Sequence, residues 1–244
     1  MTLSRSTLHF ALILSLSLVV MASSKEKEAP GKRVDSGSFG VFMNGSRVGT
    51  ETFTITQNNN GSVIQSEFKA EGSAGAALQD SEMQLTSSGE IRRYEWKERS
   101  PGKAEYTVLP NDQFLVQKSI AAPGEKEQDH PYLLAVTTSI LDDYFFVHRE
   151  VLAWKYLGTA CSHEKEGMRC PKAQFGTMNP RQQNSAPATL EYLGRDKVAI
   201  RGAEKELNKL ELKSDTGSWI LWLDEQFKVL KMSIPAEKTE VIRD

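Results

Sequence analysis

Cysteine and histidine are scarce in this chain, with two Cys and four His among 244 residues. That leaves few ways to build a metal centre or a thiol site, because both need such residues close together. An excess of charge of one sign is missing as well. Thirty Lys and Arg stand against 32 Asp and Glu, a formal net charge of −2, so there is no basic field for nucleic acid. No Gly-x-Ser-x-Gly elbow, His-Glu-x-x-His pair, phosphate-binding Gly-x-x-x-x-Gly-Lys loop or Gly-x-Gly-x-x-Gly helix opening occurs. The commonest enzymes legible in sequence are thereby removed, and no catalytic residue, cofactor or metal is assigned. What remains is 39% hydrophobic and 25% charged, the composition of a globular protein.

Long apolar runs are also few, and the clearest lies at the start. MTLSRSTLHF is followed by ALILSLSLVVMA and then by SSKEKEAPGKR, the layout of a secretory signal peptide. A bilayer core about 30 Å thick calls for about 20 apolar residues. The run from Ala11 to Ala22 is too short for that, so no stable membrane span is expected after cleavage near Ser24. The chain is therefore read as exported, periplasmic in a Gram-negative bacterium and otherwise secreted. In an oxidising compartment Cys161 and Cys170, in CSHEKEGMRC, are expected to form a disulfide. Closing so short a loop stabilises by about 2.5 to 3 kcal/mol in the chain-entropy picture. A metal site using Cys161, His163 and Cys170 is the sharper alternative, but it lacks a fourth ligand and matches no common zinc spacing.

Residues 1–24 are thus assigned to a signal peptide, 25–36 to a flexible charged lead-in and 37–244 to a single β domain; two abutting β subdomains are the alternative. The strand signal is alternation. SFGVFMNGSRVGTETFTIT places two extended runs either side of Asn44-Gly45, a dipeptide suited to tight hairpins because both central residues take positive φ. Thr50, Thr52, Thr54 and Thr56 share one face of the second run, with Phe53 and Ile55 on the other. Further short runs separated by SSGE, SPGK and PND predict a locally connected antiparallel meander, and the rhythm resumes from about Val198. Between Ser139 and Leu157 the apolar residues recur every three or four positions. That spacing predicts a helix over about 139–157, with Ser139 as N-cap and Asp142 and Asp143 in its first turn. The fold class is accordingly mainly β: a strongly curved antiparallel sheet or partly open barrel of roughly ten or more strands, with one amphipathic helix packed on or into it.

His148 lies on the helical apolar stripe and reads as a hydrogen-bonded core residue. A triad with Asp142 or Asp143 and a serine is the sharper alternative. Glu164 and Glu166 beside His163 read as a solvated loop face. Trp96, Trp154, Trp219 and Trp222 read as core, or as pocket wall in the manner of barrel-type carriers. Trp219 and Trp222 must point to opposite faces of a regular strand.

Three stretches, NGSRVGTETFTI, SILDDYFFVHREVLAW and WLDEQFKVLKMSIPAEKTEVIR, occur in an order that resembles an exported, mainly periplasmic bacterial family, the domain-of-unknown-function 3108 type. The resemblance implies an antiparallel β fold with a helix and supplies no catalytic residues. CSHEKEGMRC is not part of it. The expected function is non-enzymatic binding of a lipid-like or other apolar or amphiphilic ligand, or of an envelope protein. A structural or assembly role through sheet edges and an unrecognised hydrolase are the alternatives.

Overall fold

The computed structural model describes residues 31–72, 76–165, 167–215 and 217–244. The expected signal peptide 1–24, the first half of the lead-in and residues 73–75 lie outside the described residues. The chain first forms an antiparallel meander of eight strands. They are β1 (Lys32–Met43), β2 (Ser46–Asn58), β3 (Gly61–Ala70), β4 (Leu78–Thr86), β5 (Ile91–Ser100), β6 (Glu105–Asn111), β7 (Phe114–Ile120) and β8 (Gln128–Ala135). A short β9 (Ser139–Ile140) precedes the helix α1 (Val147–Ala160), which is followed by a small hairpin, β10 (Ser162–Glu164) and β11 (Gly167–Arg169). A second meander, β12 (Ala173–Asn179), β13 (Asn184–Ile200), β14 (Ala203–Ser214), β15 (Gly217–Leu223), β16 (Val229–Ile234) and β17 (Thr239–Arg243), completes the fold.

The two meanders join where β17 pairs antiparallel with β1, giving one open 15-stranded sheet with β8 and β9 at its edges. Local turn chemistry sets much of this register. At the β1–β2 hairpin Asn44 and Gly45 take φ of 51° and 80°, as the dipeptide predicts. Along β2, Glu51, Phe53 and Ile55 are buried, while Thr52 is exposed and Thr54 half-buried. The hydroxyl row therefore faces away from the core. The sheet curls round α1, because the helix reaches strands far apart in sheet order. His148 packs edge-on to Tyr94 of β5, with ring centroids 5.4 Å apart, and the Tyr156 hydroxyl accepts the Tyr192 N–H of β13 at 3.1 Å. Val147, Leu152 and Tyr156 are buried on the helix, and Phe39 stacks on Phe53 beneath it. Trp219 is buried and Trp222 is half-buried on the opposite face, as alternation requires. No helix among the described residues is long and apolar enough to cross a membrane.

Two boundaries differ from expectation. β1 starts at Lys32, inside the segment expected to be a flexible lead-in, because the charge of Asp35 is buried and paired with Arg243 and Lys228. The helix begins at Val147 rather than near Ser139. Ser139 and Ile140 instead pair in parallel with Thr177 and Met178. Asp142 and Asp143 belong to the connection before the helix, so Ile140 and Phe145 kept helical spacing without being helical.

Candidate functional site

The connection 141–146 and the first turn of α1 gather most of the buried charge. Phe146 occupies the N-cap position and offers no side-chain hydrogen bond, which leaves the first amides of the helix in need of acceptors. Glu51 of β2, almost a hundred residues earlier, supplies them. Its carboxyl accepts the N–H of Phe146 at 2.7 Å and of Val147 at 3.2 Å, and the Ser66 hydroxyl at 2.7 Å. Burial nevertheless pushes the Glu51 pKa up to about 7 against these donors.

Asp142 is saturated. One oxygen accepts the hydroxyls of Tyr94 and Tyr106, and the other accepts Arg181 Nε at 3.2 Å, Arg181 Nη2 at 3.1 Å and the Tyr144 N–H. The Arg181 guanidinium lies over the rings of Trp96 and Tyr144 at 4.6 and 4.7 Å. Asp143 accepts Asn179 Nδ2 at 2.7 Å and Gln182 Nε2 at 3.0 Å.

Arg149, in the first turn of the helix, is 6% exposed and lies over Trp219 at 4.3 Å and Phe146 at 5.4 Å. Nη1 donates to the Asp142 carbonyl at 3.1 Å, and Nε has no partner. No carboxylate oxygen among the described residues comes within 4.0 Å of this cation. It borders a cleft of about 500 Å³ whose wall is apolar at Val41, Val48, Phe68, Phe146, Trp219 and Ile234 and also carries the acids Asp143 and Glu237. Met43 and Tyr144, 46% and 38% exposed, also line the cleft.

A second cleft, of about 410 Å³, is lined by Met83, Leu85, Ile140, His148, Leu152 and Lys155. Burial lowers the His148 pKa to about 4, so the ring is neutral near pH 7. Nδ1 accepts the Asp142 backbone N–H at 3.4 Å, which places the proton on Nε2, and Nε2 has no partner. No Ser, Asp or Glu side chain among the described residues is hydrogen-bonded to His148. The Asp142 carboxylate is turned to Arg181 and the two tyrosines, so the triad alternative is not assembled there. On the outer face a polar depression of about 430 Å³ holds Thr52, Thr54, Glu67, Asp80 and Arg99, the last paired with both acids.

Of the residues singled out by sequence, Cys161 and Cys170 are joined by a disulfide, S–S 2.05 Å, so neither sulfur is a thiolate ligand. The side chains of His163 and Glu166 lie outside the described residues. Among the described residues no cluster of three or more His, Cys, Asp or Glu is arranged to hold a metal ion. Trp96 is buried and donates to Gln79 at 2.9 Å, and Trp154 donates to the Phe227 carbonyl at 2.6 Å. Sequence reasoning missed Glu51, Arg149 and Arg181. The first had a signal, a carboxylate in the same alternation phase as Phe53 and Ile55. Comparison of the chain with protein-family models, curated proteins and solved structures finds no match.

Proposed function

We propose that this chain is an exported, non-enzymatic binding protein that takes an amphiphilic small molecule into the cleft beside the start of α1. The carrying observation is the cleft of about 500 Å³ with apolar walls at Val41, Val48 and Phe68 and part-exposed Met43 and Tyr144. That volume falls within the range of small-molecule sites. The apolar run at the N-terminus and the disulfide suit an oxidising compartment, and the resemblance to an exported β family agrees with that address.

Native mass spectrometry of protein purified from its own host tests the reading. A reproducible lipid-sized adduct, lost on Val48→Trp, is the expected result, since Val48 is half-buried on the cleft wall. A clean apo mass, together with no uptake of an apolar fluorescent probe, overturns it.

Assembly through a sheet edge is the second reading, favoured by Leu133, 87% exposed on edge strand β8. The same strand carries Asp129 and Pro131, and a proline has no N–H to offer an added strand. A monomeric mass by light scattering at high concentration, unchanged in Leu133→Lys, removes this reading.

A further inference from the structure

Resting on the amphiphile reading above, we infer that Arg149 selects the headgroup: the ligand is a single-chain carboxylate amphiphile. Its carboxylate meets the Arg149 guanidinium while its chain lies along the apolar wall of the cleft.

A guanidinium has five N–H donors and does not lose its charge in a protein. Arg149 uses one donor, on Nη1, and that bond goes to a backbone carbonyl. Nε is buried with no acceptor, and no hydrogen bond from Nη2 is found among the described residues. Nε is sealed from the cleft, so Nη2, the donor that has neither a partner nor full burial, is the one placed to meet a carboxylate oxygen. Trp219 and Phe146 cover the guanidinium plane, which fixes its orientation and leaves Nη2 at its edge for a ligand.

The acids nearest in charge do not fill that role. Asp143, Glu51 and Asp142 all act on Arg149 electrostatically. Each has its oxygens committed elsewhere: Asp143 to Asn179 and Gln182, Glu51 to the helix amides and Ser66, and Asp142 to Arg181 and two tyrosines. Arg149 is the cation on a wall that also carries Asp143 and Glu237, so an anion attached to an apolar chain is complementary to this cleft where its headgroup meets Arg149 and stays clear of those two acids. An alcohol of the same chain length would fill the same wall and give Nη2 a poorer acceptor. A quaternary ammonium would add like charge.

The test titrates the purified full chain with dodecanoate, dodecanol and dodecyltrimethylammonium, following the intrinsic fluorescence of its tryptophans and confirming by calorimetry. Dodecanoate is expected to bind about tenfold or more tightly than dodecanol, the ratio one charge-assisted pair commonly supplies. Arg149→Met should erase that preference while leaving dodecanol affinity within about threefold. Arg149→Lys, which keeps the charge without the fork, should retain part of the preference and stands in if the Met variant fails to fold. Equal affinity for the three probes overturns the headgroup assignment and leaves the amphiphile reading standing. Binding of none of them overturns both.

Discussion

Arg149 and Glu150 are neighbours on α1, both buried, and their charges meet opposite fates. Glu150 is fully buried, and burial pushes its pKa well above the usual carboxylate range, yet Arg243 Nη2 reaches it at 2.8 Å. The same guanidinium grips Asp35 at 2.7 and 3.2 Å and donates from Nε to the Val229 carbonyl at 2.7 Å. Lys228 adds a second cation 2.9 Å from Asp35. Two acids and two bases thus close a cluster that ties β1, β17 and α1 together at the seam of the two meanders. Arg149 has no such partner and faces a cleft. Buried charge in direct ion pairs ties the frame of the fold together here, with Glu150 Oε1, like Arg149 Nε, left without a partner; on the proposal above, the cation with no direct acid marks a binding position.

The largest effect that would break this comparison is expected at Arg243. Arg243→Met leaves Asp35 and Glu150 facing each other without the guanidinium, and stripping one partner from a buried ion pair costs about 3 to 5 kcal/mol. Urea unfolding at neutral pH should show a lower midpoint by that amount. A midpoint unchanged within error would mean that the seam does not depend on its charge cluster.

Glu51 sharpens the comparison from the side of pH. Its folded pKa of about 7 stands above the ordinary value of 4.5 because of burial. Between those values the unfolded chain has lost a proton that the folded chain keeps, so stability falls as pH rises from 4.5 to 7. His148 has the opposite sign. Its folded pKa of about 4 lies below 6.5 because of burial, and stability therefore rises with pH across that interval. In wild type the two largely offset each other. Burial also opposes ionisation of Asp35, but hydrogen bonds from Arg243 and the rest of the cluster hold its pKa at about 2, outside this window. Glu51→Gln keeps an acceptor for the Phe146 amide and removes the titration. Subtracting the wild-type profile from that of the variant cancels the other groups. The difference should rise by about 3 kcal/mol in favour of the variant between pH 4.5 and 7 and be flat outside it. A flat difference throughout would mean that Glu51 titrates in the folded chain at its ordinary value.

The frame was largely legible in the sequence because alternation and turn residues are local signals. Asn44-Gly45 announced the first hairpin, and the phase of Phe53 and Ile55 named the buried face of β2. The helix was legible in existence and late in onset, since Ile140, Tyr144 and Phe145 mimic helical spacing in a segment that pairs with β12 and then turns. The charged start of β1 read as a lead-in because the partners that bury Asp35 lie about two hundred residues away. For the same reason Arg181 gave no signal, its contacts to Asp142 and Gln79 being 39 and 102 residues distant. Pairing of buried charge is a property of the folded sheet-and-helix arrangement, and composition carries no trace of which cation meets which acid.

The smallest expected effect is the one that bears most on function. Arg149→Met removes the hydrogen bond to the Asp142 carbonyl and the contacts with Trp219 and Phe146, losses of about 1 kcal/mol each. It also removes a buried cation with an unsatisfied Nε and replaces it with an apolar chain able to pack on the same rings. Asp143, Glu51 and Asp142 favour the Arg149 charge without direct contact, so its loss strips no ion-paired partner, the case that costs most. The net change in the urea midpoint should therefore lie within about 1 kcal/mol of wild type in either direction. Measured beside Arg243→Met, the contrast between two buried arginines becomes a single experiment. If the two variants lost stability equally, Arg149 would belong to the frame, and unpaired charge would no longer distinguish a binding position from a structural one in this fold.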